Sequence, residues 1–259
     1  MIAKVRLETI SNLIQKDKMV EVKKLSELLK VSEKTIRLDL DLLEKANILR
    51  RVHGGAVLDT QQSNKFPKNL LREQNTYEKT IIATKAKSLL KENEVILLDD
   101  GSTSLALAKL LGDFKLTVLT NDVLIINELM YKANINLYVI GGSLKRDGES
   151  FVINGEDSIQ FVKKYRVNKL FLGASTIDEN HGLMIFYYGD RSTKRAFMAS
   201  ADEIICLLDS SKFNHTAFTH VANINEIHTI ISDFQLAESE IKKYRDLGIN
   251  VLIAEDPEK

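Results

Sequence analysis

From about residue 78 onward, seven short apolar runs recur with helical stretches between them: EVILLDD, LTVLTN, INLYVIGG, KLFLGAS, EIICLLD, HTIISD and INVLIAE. A run that is apolar at nearly every position, rather than every second one, reads as a strand buried on both faces. Strands of that kind alternating with helices build a mostly parallel sheet with helices on each side. Residues 78–259 are therefore expected to form a Rossmann-like, mostly parallel α/β domain. Strand order is not encoded in this pattern.

Residues 1–58 have a different texture, reading as short amphipathic helices that end in a hairpin. Between the two regions, residues 59–77 (DTQQSNKFPKNLLREQNTY) are polar, lack a clear period and hold Pro67, one of only two prolines. Such a stretch reads as a linker or a loosely packed crossing segment. A length of 259 residues fits one or two domains at about 150 residues each.

Within 1–58, Val5, Ile10, Leu13 and Ile14 mark a first helix, with a break near Lys16-Asp17-Lys18. Val22, Leu25, Leu28 and Leu29 mark a second. Ser32 is placed to cap a third, EKTIRLDLDLLEKAN, because its hydroxyl can accept from a free first-turn amide. Ile36, Leu40 and Leu43 fall at i, i+4 and i+7, giving that helix one core-facing stripe. Lys34, Arg37, Leu38, Asp41 and Lys45 fall on the other side. Two short helices, a tight turn and a third helix carrying Lys, Thr and Arg in its first turns make a helix-turn-helix. Thr35 and Arg37 could reach base edges in a major groove and Lys34 could pair with phosphate. The following ILRRVHGGAVL reads as a β-wing, with Gly54-Gly55 supplying the positive φ of a tight hairpin. Arg50, Arg51 and His53 are expected along its DNA-backbone edge. The alternative is a small helical subdomain whose charges simply solvate its surface.

Net charge bears on that choice. With 36 Lys+Arg against 36 Asp+Glu, the total is zero, which at face value argues against a nucleic-acid partner. By region it does not: residues 1–60 hold 12 basic and 9 acidic side chains, and the remainder 24 and 27. A mildly basic reader is joined to a mildly acidic partner domain. At net +3, non-specific DNA affinity should be modest and salt-sensitive.

In the α/β region, EVILLDDGSTSLALAKLL is a strand, a Gly/Ser/Thr turn and a helix. The turn sets Ser102, Thr103 and Ser104 at a helix N-terminus, where unpaired amides and the macrodipole suit an anion. It lacks the longer Gly-Lys-Ser/Thr turn of a nucleotide P-loop. An ordinary capped helix is the competing reading. Three further strand exits are small or polar: Thr120-Asn121, Gly141-Gly142 and Gly173-Ala174-Ser175. In a parallel sheet, ligands sit outside the carboxyl ends of strands, so four exits point to one crevice. Lys194 and Lys212 could bring positive charge to it, although either alone also reads as a solvated surface lysine.

The segment VSEKTIRLDLDLLEKANILRRVHGGAVL resembles the winged helix-turn-helix of the DeoR family of bacterial transcription regulators. The resemblance continues through LLDDGSTSLALAKLL, LTVLTN, IGGSLKR, LFLGASTID, GLM, TKRAF and DSSKF, over nearly the whole chain. It implies a sensor domain similar to the ribose-5-phosphate isomerase fold, taking a phosphorylated sugar or related metabolite as effector. Position by position, Asp99, Gly101, Ser102 and Thr103 match the family's acidic-turn motif. Asn121, Gly141, Gly142, Lys194, Asp209 and Lys212 match its later motifs. The resemblance also implies a repressor of sugar or carbohydrate metabolism genes that binds double-stranded operator DNA as a homo-oligomer, dimer or tetramer. Three departures stand out: Leu38 where relatives often carry a second Arg, Ser175 where many carry Asp, and the Met184–Asp190 loop MIFYYGD. That loop reads either as a reshaped effector pocket or as a subunit contact.

The rival function is a sugar-phosphate isomerase with an added N-terminal module. It needs a carboxylate poised to move a proton, for which Asp99 and Asp100 are available. It leaves the helix-turn-helix unexplained, and a pure interaction protein leaves the strand-end polar residues without a role. No catalytic residue, cofactor or metal site is expected: there is no HExxH and no GxSxG. The single Cys206, in EIICLLD, excludes an internal disulfide and reads as a buried thiol. No apolar run of about 18 residues would span a membrane. The opening MIAKVRLETI is unlike an export signal, so a cytoplasmic protein is expected.

Overall fold

A computed structural model describes residues 6, 7, 9, 10, 13, 14, 19–45, 49–52, 54–58, 75–147, 150–186 and 190–256. The chain forms two compact units, residues 1–71 and 72–259.

In the first unit the described residues between 6 and 14 are helical, and Ile10 and Ile14 are buried. Next come β1 (Met19–Glu21), α1 (Val22–Leu29), α2 (Glu33–Lys45), β2 (Leu49–Val52) and β3 (Gly55–Leu58). The turn between α1 and α2 closes because Lys30 takes a left-handed φ of 52°. There the Val31 amide donates to the Ser26 carbonyl at 3.2 Å, and the Ser26 hydroxyl donates to the Val31 carbonyl at 2.7 Å. Ser32 caps α2 as expected, accepting from the Thr35 amide at 3.2 Å. Ile36, Leu40 and Leu43 are buried against Val22, Leu25, Leu29, Leu49 and Ala56.

The wing differs from expectation in one strand and one glycine. β1, which the helical periodicity hides, pairs antiparallel with β3, giving the sheet order β1-β3-β2. Gly54 has the anticipated positive φ, 79°. Gly55 is needed for another reason: a Cβ there would lie 2.1 Å from the Val20 carbonyl oxygen, so no side chain fits between β3 and β1.

Across the second unit run α3 (Thr76–Lys87), β4 (Val95–Leu98), α4 (Ser102–Lys109), β5 (Leu116–Thr120), α5 (Val123–Leu129), β6 (Ile135–Val139), β7 (Ser143–Asp147) and β8 (Ser150–Asn154). Then come α6 (Glu156–Val162), β9 (Val167–Leu172), β10 (Thr176–Asp178), β11 (Gly182–Ile185), α7 (Arg191–Ser200), β12 (Ala201–Leu207), β13 (Thr219–Ala222), β14 (Thr229–Asp233), α8 (Glu238–Asp246) and β15 (Asn250–Ala254). α3 starts within the stretch read as linker, so Thr76 and Tyr77 belong to this unit.

All seven apolar runs join one parallel sheet of order β6-β5-β4-β9-β12-β14-β15. Its two faces are both dry. Ile96, Leu98, Val118, Phe171 and Ile205 pack on α3, α4 and α5 through Ile82, Ala86, Leu107 and Ile125. Leu97, Leu119, Leu170, Leu172 and Cys206 face Val162, Phe197, Ile241 and Tyr244 of α6, α7 and α8. Successive residues of one strand thus feed opposite cores, the period-2 geometry that produces uninterrupted apolar runs. Cys206 is fully buried, and burial pushes its thiol up. Two antiparallel additions lie outside the expected pattern: the hairpin β7–β8 and a small sheet β10-β11-β13.

A buried ion pair ties the start of the first unit to α2. The Arg6 guanidinium donates through Nη2 to Asp39 Oδ1 at 3.0 Å and through Nε to Oδ2, with Asp39 only 3% exposed. Removing one partner of such a pair costs about 3 kcal/mol or more. Asp39→Ala is expected to raise exchange of the α2 core amides at least roughly hundredfold in the intact chain. Unchanged protection by hydrogen-exchange mass spectrometry would show the pair to be unimportant.

Candidate functional site

Two faces concentrate the expected functional residues, one in each unit. In the first, Lys34, Arg37 and Leu38 are exposed on α2, and Thr35 is half-buried. The Ser32 and Thr35 hydroxyls lie 2.9 Å apart, and Arg37 donates to Glu33 Oε2 at 2.6 Å. Arg50 is exposed on β2. Arg51 is turned onto α2 instead of running along the wing edge: it pairs with Asp41, donates to the Arg37 carbonyl at 3.2 Å, and gives its amide to Glu44 Oε1 at 2.6 Å. His53 lies outside the described residues.

In the second unit, the strand order gives the location before any side chain is considered. The chain leaves β4 toward β5 and β6 on one side and returns to β9 on the other. The strand order therefore reverses between β4 and β9, the point at which ligands of open parallel sheets bind outside the carboxyl ends. Asp99, Asp100 and Gly101 leave β4 at this point, and Gly173 leaves β9. The Asp99 amide donates to the Phe171 carbonyl at 3.1 Å, and the Gly173 amide returns a bond to Asp99 Oδ2 at 3.0 Å. A Cβ on Gly173 would approach the Asp100 carbonyl oxygen to 3.1 Å, tighter than ordinary contact.

Lys194, from the second turn of α7, reaches into this junction. Its ammonium contacts Asp99 Oδ2, donates to Asp100 Oδ1 at 3.0 Å and to the Gly173 carbonyl at 3.3 Å. Lys194 is 6% exposed and Asp99 1%. Burial by itself would lower the ammonium, but Asp100 and Asp99 overcome it and hold its proton well above the ordinary lysine range. Burial pushes the Asp99 carboxyl up to about 7, against the pull of Lys194 and with the push of Asp100. Asp99 Oδ1 has no hydrogen-bond partner among the described residues, as fits a carboxyl kept away from water.

Gly101, at φ 136°, turns the chain into α4, whose first residues are Ser102, Thr103 and Ser104. No side chain caps this helix. The Gly101 amide donates to Asp122 Oδ2 at 3.3 Å, and Asp122 Oδ1 accepts from the Leu124 amide at 2.8 Å, capping α5. Asn121, beside it, donates to the Ile153 carbonyl and to Asn154 Oδ1, both at 3.0 Å. Asn154 in turn donates to Asp190 Oδ1 at 2.8 Å, which Lys145 also reaches at 3.2 Å. The β7–β8 hairpin is thereby fastened both to the end of β5 and to the start of α7. Gly142 serves the same junction, since a Cβ there would fall 2.5 Å from Ser158 Oγ. Gly141 supplies the carbonyl that Ser158 Oγ bonds at 2.6 Å.

Asp209 and Lys212 stand apart from this cluster. They follow β12, at the same end of the sheet but two strands from β4. Asp209 accepts from Asn75 Nδ2 at 2.9 Å and from Ser211, which anchors the start of α3. Four contributors escaped the sequence reading of the site, Asp122, Asn154, Asp190 and Lys145, and Asp100 entered it only as a carboxylate for the isomerase alternative. Asp100 and Asp122 directly follow strand runs, a signal open to inspection. The other three depend on a hairpin the periodicity does not reveal. Among the described residues, no three His, Cys, Asp or Glu side chains are placed to hold a metal ion, and no helix is long and apolar enough to cross a membrane.

Residues 6–62 match the model of the DeoR-like helix-turn-helix domain, and residues 74–234 that of the DeoR C terminal sensor domain. A transcriptional repressor of Bacillus subtilis, GlcR, is 31% identical, covering 98% of this chain and 97% of its own. The glycerol-3-phosphate regulon repressor of Escherichia coli K12 is 32% identical over 86% of this chain and 88% of its own. The L-fucose operon activator of Haemophilus influenzae is 34% identical over 92% and 95%. Ribose 5-phosphate isomerase A of Methanocaldococcus jannaschii aligns with 52% of this chain and 53% of its own, at 21% identity and a TM-score of 0.39.

The Asp99 titration has a definite sign. Its folded value of about 7 stands above the ordinary 3.8, so the folded chain retains a proton that the unfolded chain releases. Its contribution to stability is present in full below about pH 4 and is lost as pH rises through about 7. All seven tyrosines lie at position 77 or beyond, so urea unfolding followed by tyrosine fluorescence reads the α/β unit. The stability of the native protein minus that of Asp99→Asn should fall between pH 5 and 8; a pH-independent difference would refute the raised carboxyl.

Proposed function

This chain belongs to the DeoR family of bacterial transcription regulators, and from that premise we propose a repressor of carbohydrate metabolism genes whose operator affinity is set by a phosphorylated sugar. Relatives matched over nearly their full length are named as repressors and an activator, and the chain is a transcription regulator, not an isomerase.

On the DNA side, Ser32, Lys34, Thr35, Arg37 and Leu38 of the capped second helix enter the major groove, while Arg50 borders the backbone from the wing. Arg51 acts by cancelling the Asp41 charge, which would otherwise face phosphate. Two subunits, paired as a dimer or within a tetramer, present two such helices about 34–36 Å apart. The protein acts in the cytoplasm, where its operator lies.

One observation carries the sensing half: the uncapped N-terminus of α4 opens at the switch point of the sheet, beside Asp99 and Lys194. The amides of this turn and the hydroxyls of Ser102 and Thr103 receive the phosphate, while Ser104 is buried beneath them. The Lys194 charge is already matched by two carboxylates, so the helix end supplies most of the attraction for the anion. Asp99, Gly101, Asn121, Gly141 and Gly142 shape the remainder. Asp209 and Lys212 are left out of this site, since Asp209 is committed to Asn75 at the start of α3. Coupling of about 1–3 kcal/mol, a factor of roughly 5–150, suffices for control.

Two variants separate the halves. Arg37→Ala should weaken operator binding and relax sequence preference in a gel-shift series; unchanged preference would remove α2 as the reader. Thr103→Glu should place a charge against the phosphate and abolish calorimetric binding of ribose 5-phosphate, glucose 6-phosphate or glycerol 3-phosphate, whichever the native chain takes. DNA affinity should stay intact. Normal binding of that ligand by the variant would move the anion site elsewhere.

A further inference from the structure

We propose that Leu38 is a specificity residue that reads the 5-methyl group of a thymine in the operator, an inference that rests on the DNA-binding reading above. Leu38 is 57% exposed, whereas Ile36, Leu40 and Leu43 of the same helix are at most 2% exposed. It is not among the side chains packed on the core of its unit. An apolar side chain is thus presented to solvent in the second turn of α2, on the face it shares with Lys34, Thr35 and Asp41.

Its polar neighbours already have partners within the chain. Arg37 is held by Glu33, Asp41 by Arg51, and the Thr35 hydroxyl by Ser32. Beside Leu38 the Arg37 and Asp41 charges are each paired, with Glu33 and Arg51, and Lys34 is exposed, so the balance of charge on this face is positive and suits phosphate. Leucine can bond neither phosphate nor the donor and acceptor edges of bases. In the major groove the apolar group on offer is the thymine C5-methyl. Leu42 is comparably exposed, at 53%, but lies a turn further along, and recognition helices touch bases with their N-terminal residues. Covering Leu38 with a methyl removes apolar surface from water that folding leaves uncovered.

The test uses the full chain and a randomised duplex library. Enriched duplexes are resynthesised with deoxyuridine replacing each thymidine in turn, a change that removes only the methyl. The native chain should lose about fourfold in affinity at one position, the worth of one buried methyl-sized group. Leu38→Ala should bind the thymidine duplex correspondingly more weakly and be indifferent to the uracil exchange there. Leu42→Ala should keep the native response. Enrichment without any uracil effect, or with an effect that survives in Leu38→Ala, overturns the proposal while leaving DNA reading intact. Failure to enrich any duplex overturns the DNA-binding reading itself, and this inference with it.

Discussion

The Lys194 ammonium is the interaction on which the sensing unit depends. It lies where the strand order reverses, and it binds groups from both halves of the sheet: Asp99 and Asp100 after β4, and the Gly173 carbonyl after β9. An ammonium removed from water is costly by several kcal/mol unless its donors are satisfied. Here two carboxylates and a carbonyl satisfy them, so any arrangement that parts β4 from β9 strands a buried charge. The same helix carries Asp190 at its start, which accepts from Asn154 and Lys145 of the β7–β8 hairpin. Asn154 is in turn bonded by Asn121 at the end of β5. A continuous set of polar contacts therefore runs from the switch point through α7 to the hairpin and back to the sheet.

How legible this was in the sequence follows from what each part depends on. The seven strands were readable because burial on both faces forces apolar residues at nearly every position. Their order was not, since any permutation of βα units leaves the same local pattern. The hairpin strands SLKRD and SFVIN carry mixed residues, most of those with described burial exposed or half-buried, and so blend into loops. Ser32 and the core stripe of α2 were legible because capping and helical period are local. The Arg6–Asp39 pair spans 33 positions: helical period turns Asp39 toward the core and Asp41 away from it, but no local rule supplies Arg6 as the partner. Gly55 illustrates a subtler failure: two adjacent glycines imply a turn, yet the second is fixed by a strand invisible to helical periodicity.

The site residues divide along the same line. Asp99, Gly101, Ser102, Asn121 and Lys194 share one end of the sheet because strand exits and one helix converge there, which strand-end reasoning anticipates. Asp209 satisfies the same rule but is spent on Asn75 and the start of α3. Position at a strand end is therefore necessary for a role in the crevice without being sufficient. What separates the two aspartates is the partner each finds, a tertiary property.

The protonation pattern at this junction is ill suited to moving a proton through a substrate. Moving a proton between adjacent carbons requires a group that both accepts and releases it near neutral pH. Lys194 keeps its proton, because Asp100 and Asp99 favour the charged form more strongly than burial opposes it. Asp99 titrates near 7, in a suitable range, but it is 1% exposed and spends one oxygen on Lys194 and the Gly173 amide. An acid so confined fixes the position of its neighbours. A phosphate that drew on the same ammonium would have to compete with two carboxylates, so occupancy and the bonding of α7 to β4 and β9 are physically opposed.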